Sequence, residues 1–186
     1  MVTLRLAGLD PSGVDRVAGG NMADNATALR RGDVDVVQLF QPYVEELLED
    51  GCHIWFAAAE RGPCSYTTFY ARQATIATKR AEMAAMVRAI YRTQKWIAGA
   101  DGDAIAAHLA RFFPDVKRSR LASACARYKT LGIWGHDPVL PRVGYDRLLA
   151  SMVSGGFVQP GTSFEQAVDN TLAEAAISAD PPALRA

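Results

Sequence analysis

The sequence predicts an α/β chain in which a few short β-strands are followed by a mostly helical C-terminal part. Three observations predict it. Runs rich in β-branched and aromatic residues (residues 34–40, 53–58 and 64–70) alternate with helical patterns in the first part of the chain. From Thr78 onward apolar residues recur at helical spacing, punctuated by Gly, Pro and capping residues. The composition is 49% hydrophobic with twenty acidic and twenty basic residues, which is globular rather than disordered.

Taken in order, residues 2–9 read as the last turns of a helix, stopped by Gly8 and the Asp10-Pro11-Ser12-Gly13 cluster. Residues 14–17 suit a short strand. Asn21 is a good N-cap with Asp24 three residues on, and Met22, Ala26 and Leu29 then share one helix face. After a turn at Gly32 comes the strand at 34–40. Gln41-Pro42 opens a new helix, because proline's missing N–H is no loss in a first turn. Gly51 ends that helix, and HIWFAA and CSYTTFY read as further strands around an Arg61-Gly62-Pro63 turn.

Residues 79–98 form a long amphipathic pattern, with Met83, Met86, Val87, Ile90, Tyr91, Gln94 and Ile97 on one stripe. Helices are expected at 101–113, 118–131 and 144–153, with a Gly/Pro loop at 132–143. Ser163 and Gln166 have the capping-box spacing for a last helix, and the tail beyond Ile177 is expected to fray.

The balanced charge and the lack of a basic block give no reason to expect nucleic acid. No apolar run is long enough to span a bilayer, and the N-terminal residues do not read as a signal peptide. Three cysteines without a CxxC spacing argue against a zinc site. Cys52 and Cys64 could pair across a hairpin, and the sequence does not decide it.

The runs GDVDVVQLFQPYVEELLEDG, SYTTFYAR and LGIWGHDPVLPRVGYDRLLASMVSGGFV, in that order, resemble the substrate-binding proteins of nitrate/taurine-type ABC transporters, the NMT1/THI5-like (SsuA-like) group. The resemblance implies a partial periplasmic-binding-protein type II-like fold lacking its N-terminal part. Residues 1–62 would be the latter part of the second α/β lobe and 63–76 the hinge or crossover strand. Residues 77–177 would be the helical part of the first lobe, with 178–186 a flexible tail.

It further implies a solute-binding component that works in the periplasm with an inner-membrane ABC permease. That component would capture a small polar organic ligand between its lobes, without a cofactor or metal. Ligand contacts would come from Gln38, Gln41 and Tyr43 on one side, from Tyr66, Thr67 and Thr68 at the hinge, and from Trp134, whose ring can stack. No arginine stands at these positions, which favours a weakly charged ligand.

The enzymes of the THI5-like branch, which make the thiamine pyrimidine, rely on a histidine and a cysteine-rich segment. Here His53, His108 and His136 lie in no cysteine cluster, so a non-enzymatic binder is expected. A third reading is a helical module that oligomerises through the face a missing lobe would leave uncovered.

Overall fold

The structure, a computed structural model, describes Arg5 and residues 8–185. Most of the expected first helix therefore lies outside the described residues. From residue 8 onward the described residues form nine α-helices in chain order: α1 Met22–Arg31, α2 Tyr43–Glu49, α3 Gln73–Thr78, α4 Arg80–Gly99, α5 Gly102–Leu109, α6 Arg118–Thr130, α7 Arg142–Ser154, α8 Phe164–Ala167 and α9 Thr171–Ser178.

The expected α/β class is corrected here. The described residues are all-α, 56% helical, and contain no β-strand. Residues 14–17, 34–40, 53–57 and 64–70 are irregular. Their side chains have strand propensity, but propensity reflects fit to a paired and half-buried surface, and pairing is what makes a strand. These runs have no ladder, and many of their large apolar residues face solvent: Trp55 is 84% exposed and Tyr70 88%. With no sheet, the type II binding-protein architecture of two α/β lobes and a crossover strand is withdrawn as well.

The helical expectations fared better. Asn21 Oδ1 accepts from Asp24 N–H at 2.9 Å and starts α1, which ends at Gly32 in the left-handed conformation. Asp101 caps α5 through Ala104 N–H. Ser163 and Gln166 form the reciprocal capping box of α8. Pro42 is the residue before α2 rather than its first member.

The chain divides into two compact units. Among the described residues, one comprises Arg5, 8–60 and 101–131, and the other comprises 61–100 and 132–185. In the first unit α5 and α6 pack closely. A Cβ on Gly102 would lie 2.4 Å from the Ala122 carbonyl oxygen, so only glycine lets these backbones approach so far. Ile105, Ala106, Leu121, Ala124 and Cys125 form their buried faces, with Leu47 contributed by α2. In the second unit α9 lies on α4 and buries Ala173 and Ala176.

The tail expected to fray is bonded to α4. Lys95 pairs with Asp180 and donates to the Pro181 carbonyl at 2.9 Å, while Arg92 Nε donates to the Pro182 carbonyl at 3.0 Å.

Candidate functional site

The first unit holds Gln38, Gln41 and Tyr43. Gln38 is exposed, and Gln41 and Tyr43 are half-buried around the start of α2. The backbone of Gln41 is hydrogen-bonded to the hydroxyl of Tyr128 on α6. Burial pushes that phenol's pKa up, and this bond opposes the shift. The unit's main electrostatic feature lies one turn further along α2. Glu45, 4% exposed, accepts from Arg127 Nε at 2.6 Å and from Nη2 at 3.2 Å. That bidentate bond raises the guanidinium's pKa above its ordinary value. Glu49 takes Arg120 in the same way, which lowers its carboxyl pKa, and Arg30 bridges Glu46 and Asp50. These pairs fasten α2 to α1 and α6, so their evident task is structural.

The second unit holds Tyr66, Thr67, Thr68 and Trp134. Tyr66 is 73% exposed, Thr67 is exposed, and Thr68 and Trp134 are half-buried. Two polar atoms here are more telling. Gln94 on α4 donates from Nε2 to the Asp137 carbonyl at 2.8 Å, which pins the 132–141 loop. Its Oε1 is buried without a protein partner. Ser65 Oγ is likewise buried and unpartnered, while its backbone N–H holds the Gly144 carbonyl at 3.0 Å near the start of α7. A buried acceptor without a donor costs about 1–3 kcal/mol, so a polar group arriving at Gln94 would be received favourably.

Sequence reasoning did not name Gln94 or Ser65 as ligand contacts. The signal for Gln94 was its place, as an amide, within the apolar stripe of α4. Ser65 gave no comparable signal.

All three cysteines are free thiols: Cys64 exposed, Cys52 half-buried, and Cys125 buried so that its thiol pKa is pushed up. Among the described residues no cluster of three or more His, Cys, Asp or Glu residues could hold a metal ion, and no helix is long and apolar enough to cross a membrane.

In comparisons with known proteins, the chain is 26% identical over 169 residues to a Bacillus subtilis (strain 168) protein named "Putative binding protein YtlA". The match covers 89% of this chain and 51% of the relative, so the chain spans about half the length of the curated relative it matches. No protein-family model and no solved structure matches the chain. What this adds is a distant likeness to a protein whose name states binding and specifies no ligand.

Proposed function

We propose that this chain is a non-enzymatic solute-binding polypeptide that serves an ABC importer of the nitrate, sulfonate, taurine or thiamine-precursor type, and that it holds a small polar organic molecule. The reading includes action in the periplasm beside an inner-membrane permease. The observation that carries it is the likeness, along 89% of the chain, to a protein named for binding. The ordered runs from GDVDVVQLFQPY to LGIWGHDPVLPRV support the transporter type.

On this reading the ligand is held within the second unit, where Gln94 Oε1 offers an open acceptor and Trp134 sits in the loop that Gln94 pins. Thr68, half-buried in the same unit, is the hydroxyl donor of choice. A ligand bearing an N–H or O–H donor would relieve the Gln94 carbonyl.

The test is thermal unfolding and calorimetry of the full chain against taurine, other sulfonates, nitrate, bicarbonate and pyrimidines. A true ligand at about a hundred times its Kd stabilises by about 2.7 kcal/mol, a readily measured rise in Tm. Gln94→Leu removes the acceptor and should weaken binding roughly tenfold or more while preserving the helical spectrum. The reading fails if no compound of these classes shifts Tm or releases heat.

A further inference from the structure

We propose that the seam between residues 62–65 and the first turns of α7 binds a tetrahedral oxyanion, phosphate or the phosphate head of a larger molecule, through Arg147 and Ser65. The residues differ from the ligand contacts proposed above, and the inference does not rest on that reading. Gly62, Ser65, Gly144 and Arg147 all belong to the second unit, so the seam is defined within that unit alone.

Two side chains here lack the partners their chemistry calls for. Arg147 is half-buried, yet its guanidinium makes no ion pair or hydrogen bond among the described residues. Arg120 and Arg127, also half-buried, each hold a carboxylate, which is the usual condition for a guanidinium withdrawn from water. Asp146, beside Arg147 on α7, is exposed and does not pair with it. Ser65 Oγ is buried without a partner. A buried hydroxyl left unbonded costs free energy that a ligand can return.

The backbone brings these two groups to one seam. Ser65 N–H donates to the Gly144 carbonyl at 3.0 Å, and a Cβ on Gly144 would lie 2.7 Å from Ser65 Oγ. Three residues along α7, about 4.5 Å of helix, the Arg147 guanidinium lies against Gly62, where a Cβ would come within 3.0 Å of its Nη1. Two glycines therefore leave the room that the hydroxyl and the guanidinium occupy. The start of α7 adds to this: Pro141 gives no side-chain cap, and the N–H groups of Arg142 and Val143 have no acceptor among the described residues. The Gly144 carbonyl is already taken by Ser65 N–H, so what the seam offers is donors. Donors of three kinds, a guanidinium fork, a hydroxyl and helix N–H groups, suit a head group with three oxygens on one atom.

Calorimetry and thermal unfolding of the full chain test this, with inorganic phosphate and phenyl phosphate as probes and chloride holding the ionic strength constant. Heat of binding and a rise in Tm beyond the chloride control are expected. Arg147→Gln should weaken phosphate binding at least about tenfold, and Ser65→Ala about threefold to tenfold, both with helical circular dichroism unchanged. Ser65→Ala removes an unpartnered hydroxyl and should not lower stability, so it carries the test even if Arg147→Gln folds poorly. Arg88→Gln, which removes an exposed cation elsewhere in the same unit, should leave the affinity unchanged. Phenyl phosphate binding at least about tenfold tighter than phosphate assigns the site to a head group, and equal or weaker binding assigns it to the free anion; both outcomes support the site. Absence of any heat or Tm rise beyond chloride overturns the proposal. So does wild-type affinity in either Arg147→Gln or Ser65→Ala, or a loss in Arg88→Gln as large as that in Arg147→Gln.

Discussion

Replacing Arg127 with Met strands Glu45, and the size of the loss can be worked from the geometry. Glu45 is 4% exposed and both its oxygens accept from Arg127, at 2.6 and 3.2 Å. Breaking a fully buried pair by removing one partner costs about 3–5 kcal/mol, because the remaining charge is left desolvated. The Arg127 side chain is 33% exposed, so water reaches the vacated position and the expected loss falls to about 2–3 kcal/mol. For a chain of this length that is roughly a 5–10 °C drop in Tm.

The second half of the experiment is Glu45→Met combined with Arg127→Met. A buried pair replaced whole by apolar groups is often neutral or better, so the double variant should recover most of what the single variant loses. Urea unfolding of wild type, both singles and the double closes the cycle. The reasoning is refuted if Arg127→Met costs under about 0.5 kcal/mol, the range of an exposed pair, or if the double variant is as unstable as Arg127→Met alone.

Three further outcomes follow from the same packing. Gly102→Ala would normally gain from alanine's helix preference, but its Cβ would meet the Ala122 carbonyl oxygen at 2.4 Å. A net loss of about 1–3 kcal/mol in urea is therefore expected, and any gain would contradict the close approach of α5 and α6. With a thiol-specific reagent, Cys64 should react first and Cys125 at least about a hundredfold more slowly until the chain unfolds, because burial shields that thiol and disfavours its thiolate. The carboxyl pKa values of Glu49 and Asp169 are lowered in the folded chain, by Arg120 and by the Thr171 hydroxyl respectively. Their stabilisation is present above the unfolded carboxylate pKa of about 4 and is lost as pH falls through the folded values. Tm should therefore drop on acidification, and Glu49→Gln should make that drop shallower.

The local signals in the sequence were read well where a few neighbouring residues decide the outcome. Asn21 and Ser163 cap the helices they precede, and Gly32 ends α1, because each acts on backbone groups within four residues of itself. The long stripe of residues 79–98 became α4 for a similar reason, since i to i+4 bonding is complete within the segment. The candidate contacts were legible only as residue types. The structure puts Gln38, Gln41 and Tyr43 in one unit and Tyr66, Thr67, Thr68 and Trp134 in the other, and it adds Gln94 and Ser65, whose unpartnered atoms depend on distant backbone.

What the sequence determined by itself was most of the helices, the caps at Asn21 and Ser163 and the globular character of the chain, while α3 and the break between α8 and α9 escaped it. Only the tertiary structure decided that 34–40, 53–57 and 64–70 are not strands. A strand's hydrogen bonds belong to a neighbour, and no spacing within HIWFA or CSYTTFY says whether that neighbour is present. The same holds for Glu45 with Arg127, and for the tail on α4. Each is a bond between residues about eighty or more positions apart, made possible by packing that no local pattern encodes.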